Sequence, residues 1–349
     1  MDLEASALEW FWNPNFWLPP GVQWKDFEPT DKVRFANYRD GGYAITSAIC
    51  ILCVRFLVER KFLIPLGKWL GVGQTKQPDL LSSVHYPHTN QLEKAYESFG
   101  GKVPSNVIAD LAKRTDMEIR SIERWLRVRS AAKNNEAKLR KFSECGWRCF
   151  YYTISFSFGV FVLWDKPWFW DINHCWIGYP FQAVPDDVWW YCCLGAGYYC
   201  SVLMSIGFDI KRKDFWEMFV HHVATMLLMC VTWLSNLTRI GSIFLILHDC
   251  ADIFLEAAKM CKYANYRKLC DVLFVCFTLV WIVTRLGIYP FSVINSLLFK
   301  APAIISIFPV FYFLISMALV LQVLHVIWSY YILKIVAKAV FCGKVPISE

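Results

Sequence analysis

Two stretches of this sequence put ionisable side chains where an apolar helix would carry them. FWEMFVHHVATMLLMCVTWL holds the adjacent pair His221 and His222, and RIGSIFLILHDCADIFLEAAKM holds His248, Asp249, Asp252 and Glu256. An ionisable side chain at the centre of a membrane helix costs about 2.5–3.5 kcal/mol on insertion scales, so those that are retained usually serve a site. Asp249, Asp252 and Glu256 recur at i, i+3 and i+7 and therefore share one helix face. Imidazoles beside carboxylates suit acyl transfer. A carboxylate neighbour holds a histidine in one tautomer and makes it more basic, so that it takes a proton from an attacking amine or itself attacks a thioester. A second carboxylate would hold a cationic amine.

The two stretches meet in a very short turn centred near Leu237, so the helices that carry them run antiparallel. His222 lies 15 residues before Leu237 and Asp252 lies 15 residues after it. At 1.5 Å per residue both sit about 22 Å from the turn. A single histidine near a helix end is usually interfacial, and a lone aspartate usually pairs with an arginine. Two histidines and two aspartates at one depth on neighbouring helices are not explained that way, and the expected catalytic residues are His221, His222, Asp249 and Asp252. His248 fits a core role and a site role equally. Glu256, nearer the polar end, reads as solvated or salt-bridged. Neighbouring helical residues point about 100° apart, so His221 and His222 do not easily share an ion, and histidines at i and i+4 would be the better metal signal. No metal is expected, and no CxxC pair or His/Cys spacing suggests zinc.

The elements that must position these residues follow from composition. Of 349 residues, 56% are apolar, 17% aromatic and 19% charged, whereas a soluble domain of this size carries more charge. Apolar runs of about 18 residues or more, separated by short charged segments, match a bilayer core. The expected fold class is therefore all-α, a polytopic membrane helical bundle with a small cytosolic insert. Seven spans are read at about 42–58, 146–164, 188–207, 215–235, 239–258, 269–291 and 307–337, the third and last clearest and the first weakest. Lys211, Arg212 and Lys213, then Lys259, Lys262, Arg267 and Lys268, then Lys338 and Lys344 fall on one side, which the positive-inside rule makes cytosolic. Lys166, Arg239 and Lys300 are on the other side. The N-terminus is then lumenal and the C-terminus cytosolic. The acidic start MDLEASALEW gives no signal peptide to be removed. The cysteines within apolar runs, among them Cys50, Cys53, Cys192, Cys193 and Cys230, read as small buried apolar residues.

The polar segment 76–141 reads as three helices. In its last helix Ile122, Trp125 and Leu126 stand among Arg120, Arg124, Arg127 and Arg129, with Leu111 and Ala112 on the helix before. This pattern resembles the third helix of a homeodomain. The asparagine that homeodomains place three residues after the tryptophan to read adenine is here Val128, which neither donates nor accepts. No specific DNA binding is expected, and the basic face serves anionic headgroups or water.

The stretches FDIKRKDFWEMFVHHVATMLL and NLTRIGSIFLILHDCADIFLEAAKMCKYANY resemble the longevity-assurance motif of ceramide synthases, which lies within the TLC domain. The resemblance extends to FWNPNFWLPPGVQW, KPWFWDINHCWIGYP, DVLFVCFTLVWIVTRLGIYP and WSYYILKIVAKAV, and so covers nearly the whole chain. It implies an acyl-CoA-dependent N-acyltransferase of the endoplasmic reticulum membrane that acts on sphinganine or sphingosine. The histidine pair at His221 and His222 and the aspartate pair at Asp249 and Asp252 would be its catalytic residues. No cofactor is implied, acyl-CoA being a substrate. The expected partners are acyl-CoA, a sphingoid base, membrane lipids and a second synthase in a homo- or heterodimer. Lys211, Arg212 and Lys213 are expected at the CoA phosphates.

On this reading residues 1–41 are a lumenal segment, 42–58 the first span, 76–141 the homeobox-like domain, 142–341 the catalytic TLC domain and 342–349 the tail. The apolar loop Ser292 to Phe308 would cap the acyl tunnel. Many animal members carry a glycosylation sequon where this chain has Gly21, Val22, Gln23 and Trp24, and a long acidic tail where it ends in PISE. Asn236-Leu237-Thr238 is a sequon in too tight a turn for glycosylation. The rivals are a non-catalytic TLC-type lipid sensor or carrier, which has no use for histidines depth-matched to carboxylates, and a membrane-tethered transcription factor, which needs a base-reading residue at Val128.

Overall fold

The computed structural model describes residues 11–29, 33–74, 89–207 and 215–342, with side chains to residue 338. Among the described residues the regular elements are all helical. They are α1 (Gly41–Val58, prolonged by a π-turn to Leu63 and a helix to Trp69), α2 (Thr89–Ser98), α3 (Ser105–Thr115), α4 (Ile119–Leu163), α5 (Asp186–Ser205), α6 (Phe215–Leu234), α7 (Thr238–Tyr263), α8 (Arg267–Trp281, prolonged by π-helical segments to Lys300 and a helical turn to Ile304) and α9 (Pro309–Cys342). Among the described residues four stretches, Tyr38–Trp69, Phe215–Leu234, Arg267–Ile304 and Pro309–Lys338, are long and apolar enough to cross a membrane. The protein is a membrane protein, and the outward faces of α8 and α9 fit hydrocarbon: Val272, Val275, Leu279, Val283, Val323 and Val326 are all exposed.

The chain divides into two compact units, 58–147 with 259–267, and the remainder. In the smaller unit Leu92, Tyr96, Ile108, Leu111, Ile122, Trp125 and Leu126 form one core from three helices. Arg129 donates twice to Glu93, at 2.6 and 2.9 Å, and lies over the Tyr96 ring. These bonds hold the Glu93 carboxyl below its usual range.

In the larger unit helices approach closely wherever a glycine stands between them, as small residues permit in membranes. A Cβ on Gly197 of α5 would fall 2.6 Å from Ser47 of α1, and one on Gly195 would fall 3.0 Å from Leu245 of α7. α6 and α7 are joined by Ser235, Asn236 and Leu237, the short turn expected. Asn236 takes a left-handed φ of 52°, and its amide donates to the carbonyls of Pro180 (2.7 Å) and Gln182 (3.0 Å). Its Oδ1 accepts from Ala36 N at 3.3 Å. Only 1% of Asn236 is exposed, so the sequon nitrogen is sealed in the turn.

Several expectations change. The last helix of the insert and the second span are a single 45-residue helix, α4, because the charged half passes into the apolar half with no proline between them. The last expected span is the most apolar, as read, but the first and third change places. The first expected span lies in a stretch apolar enough to cross by itself, whereas α5, in place of the third, does not reach that hydropathy. Its DDVWWYCCLGAGYYCSVLMS is rich in Trp, Tyr, Gly and Asp and is largely buried in protein. Residues 292–304 are helix, leaving only Ile305–Phe308 as connection. There Val293, Ile294, Leu297 and Ala301 face the core, and Trp176 donates to Ser296 at 2.7 Å, so burial holds the helix past Pro290. Cys192 and Cys193 are buried, but Cys50, Cys53 and Cys230 are exposed on apolar helix faces.

Asn236→Ala removes three hydrogen bonds and puts a Cβ-bearing residue without a compensating side chain in the left-handed region. It is expected to destabilise the protein by about 2–3 kcal/mol, read as a lower thermal midpoint in detergent. An unchanged midpoint would contradict this role for the turn.

Candidate active site

The turn at Asn236 sets α6 and α7 in register, and the histidines come together as the register requires. The His221 ring lies 5.5 Å from His222 and 6.4 Å from His248. His248 is in turn 5.2 Å from His325 of α9. Three helices thus contribute four imidazoles to one cluster. Its walls are Trp328, 5.3 Å from His221, and Tyr289 and Trp281, 4.9 and 5.8 Å from His325. Tyr289 donates its hydroxyl proton to Ala318 O (3.0 Å) and Trp281 its Nε1 proton to Ser329 Oγ (2.9 Å), which fixes both rings.

His248 Nδ1 is 2.6 Å from Phe244 O. A carbonyl only accepts, so Nδ1 carries the proton and Nε2 is left as an acceptor. Among the described residues that Nε2 has no hydrogen-bonding partner, nor have His221 Nδ1 and both ring nitrogens of His325. Arg285, from the π-helical part of α8, reaches across to α7 and donates to the carbonyls of Leu247 and His248. It is 2% exposed, and its guanidinium lies 5.4 Å from the centre of Trp281. This fork holds the stretch of α7 from which His248 and Asp249 project, and a planar guanidinium suits two parallel acceptors.

The acidic face of α7 turns towards α4. Ser155 Oγ donates to Asp249 at 2.5 Å, and Glu256, which is buried, pairs with Arg148 at 3.2 Å. Glu256 is thus salt-bridged rather than solvated. Asp252 is half-buried and within electrostatic reach of Asp249. Tyr199 of α5 links the two sides, being 6.3 Å from His222, ring to ring, and within electrostatic reach of both aspartates. Imidazole on one side of α7 and carboxylate on the other follow from the 100° between His248 and Asp249.

Of the residues expected from sequence, His221, His222, Asp249 and Asp252 are all carried by the α6–α7 hairpin. Lys211, Arg212 and Lys213 lie outside the described residues. Among those described, no group of three His, Cys, Asp or Glu side chains is arranged to hold a metal ion. His325, Arg285, Ser155 and Tyr199 were not anticipated. The cost of an ionisable group in an apolar helix, applied to α8 and α9 as it was to α6 and α7, would have marked Arg285 and His325.

An all-helical membrane protein with this hairpin has the features of a TLC-domain protein, and the TLC domain family model matches residues 141–334. Ceramide synthase 5 of Homo sapiens is 39% identical over 341 residues, covering 96% of this chain and 84% of the relative. Ceramide synthase 3 of Homo sapiens is 35% identical, covering 95% and 85%, and ceramide synthase 4 of Homo sapiens is 34% identical, covering 95% and 82%. The chain belongs to the ceramide synthase family.

Arg285→Met removes the fork that positions His248 and is expected to lower ceramide formation about tenfold or more at matched protein level. Arg285→Lys keeps the charge without the fork and is expected to recover only part of the loss. Full activity in Arg285→Met, assayed in membranes, would show that the fork does not position the site.

Proposed function

We propose that this protein transfers a fatty acyl group from acyl-CoA to the amino group of sphinganine or sphingosine, giving dihydroceramide or ceramide and CoA. The observation that carries the reading is that the imidazoles of His221, His222 and His248 and the carboxylates of Asp249 and Asp252 are carried on one helical hairpin, on two sides of α7. The thioester carbonyl lies at His221 and His222. One of the pair either deprotonates the amine or attacks the carbonyl first, and the C–S bond breaks as the new bond forms. Asp249 and Asp252, on the face of α7 turned towards α4, hold the incoming ammonium. No cofactor takes part. A lipid carrier needs neither an acceptor nitrogen held in one tautomer nor paired carboxylates at its depth, which argues against the non-catalytic alternative.

The finer arrangement we propose is seven spans in the endoplasmic reticulum membrane, with the N-terminus lumenal and the C-terminus cytosolic. Lys211, Arg212 and Lys213 then meet the CoA phosphates from the cytosol. Residues 142–341 form the catalytic domain. Residues 76–141 form a homeobox-like unit that does not read DNA sequence, since Val128 offers no donor or acceptor. Its Trp125-centred core supports that reading. The functional unit is a homo- or heterodimer of synthases.

His221→Ala, His222→Ala, Asp249→Ala and Asp252→Ala are each expected to lose about two orders of magnitude or more of N-acylation, the scale of acid–base catalysis. The measurement is product formation from sphinganine and acyl-CoA in membranes with equal protein. Near-normal turnover in the double variant His221→Ala, His222→Ala would overturn the assignment.

A further inference from the structure

His325 belongs to none of the residue sets proposed for catalysis. It sits within α9 in the apolar run MALVLQVLHVIWSYYIL, is 1% exposed, and neither ring nitrogen has a hydrogen-bonding partner among the described residues. A buried polar ring with no partner is costly, and more so at hydrocarbon depth. Its aromatic neighbours do not meet the need, because Tyr289 and Trp281 have committed their protons to Ala318 and Ser329. His248 is different. Its Nδ1 proton is fixed on Phe244 O, and its bare Nε2 belongs to a ring centred 5.2 Å from that of His325. Two imidazoles joined by an N–H···N bond have centres about 5 Å apart, a bond of about 3 Å plus two ring radii. A modest ring rotation therefore makes this pair.

The proton balance of the reaction gives such a pair work to do. A sphingoid amine resembles a lysine amine and is an ammonium at neutral pH. The balanced reaction is R–NH3+ plus R′CO–SCoA giving R–NH–COR′ plus HSCoA plus H+. The N–C bond forms and the C–S bond breaks. Of the two protons the nitrogen loses, one goes to the thiolate and one is surplus in a site enclosed by helices. We propose that His248 Nε2 is the base that takes this surplus proton and that His325 is the positioning residue that shares it, as an N–H···N pair, until it leaves. This rests on the proposed function and deepens it, for it separates the base that serves the amine from the His221–His222 pair at the thioester. The groups that face His325 are His248 from α7, His221 from α6, and Arg285 and Tyr289 from α8.

The test uses the full-length purified chain with His325→Phe, which keeps an aromatic ring beside Tyr289 and Trp281, and His325→Gln, which keeps polarity but cannot share the proton. Each is assayed with sphinganine and with hydroxylamine, an acceptor whose nitrogen is uncharged at neutral pH and releases no surplus proton. Both variants are expected to lose about tenfold or more on sphinganine, with the acid limb of the kcat profile moved about one pH unit downward, because the protonated base loses the partner that stabilises it, and to stay within about twofold on hydroxylamine. Equal losses on the two acceptors, an unmoved pH profile, wild-type turnover of sphinganine, or failure of both variants to fold would each make His325 a packing residue and overturn the proposal. A stoichiometric metal ion bound by the wild type and lost from His325→Phe would also overturn it. A wild-type chain inactive on sphinganine would refute the proposed function itself, whereas an active wild type with indifferent variants refutes only the relay.

Discussion

A polar side chain carried into an apolar helix must find its partner on its own helix or on another, because hydrocarbon supplies none. The larger unit is organised by that requirement. Ser155 of α4 answers Asp249 of α7, Arg285 of α8 answers two α7 carbonyls, Ser329 of α9 answers Trp281, and Ala318 O answers Tyr289. Each bond ties one more helix to α7 or to the helices around it. The apolar faces add contact area, but one lipid-facing valine replaces another, whereas Arg285 has one place where both of its acceptors can be reached.

The same requirement explains why some atoms stand out. Buried polar groups usually find a partner, yet His248 Nε2, His221 Nδ1, Asp249 Oδ1 and the two nitrogens of His325 have none among the described residues, as is true of others farther off such as Trp189 Nε1 and Ser235 Oγ. The imidazole and carboxylate atoms lie on either side of one segment of α7, and under the proposed function they include the proton acceptors that amide formation requires. α7 is thus both wall and machinery, with imidazoles towards α6 and α9 and carboxylates towards α4.

The hairpin was legible in the sequence because its register is linear. With a turn at Leu237 and a rise of 1.5 Å per residue, His222 and Asp252 fall at one depth whatever else packs around them. His325 and Arg285 come to the site from 77 and 37 residues beyond Asp249's neighbour His248, and no spacing rule predicts which face of a distant span meets α7. The breaks between elements were harder to read. Ser292 to Phe308 reads as a loop beginning just after Pro290, yet π-helical backbone absorbs the missing amide of Pro290 while Val293 and Leu297 bury. In α4 the change from charged to apolar residues reads as a boundary between elements, but no cap or proline enforces one. α5 reads as a clear span by pattern, although its tryptophans and tyrosines are suited to packing against protein.

The central claim is that this hairpin is an N-acyl transfer site for a sphingoid base. Its most direct test is the full chain in membranes that lack other N-acyltransferases, given sphinganine and a panel of acyl-CoAs of graded length, with amide product and free CoA measured together. The account predicts that amide and CoA appear in equal amounts and only when both substrates are present. Acyl-CoA left intact, or cleaved with no amide formed from sphinganine at any chain length, would contradict it.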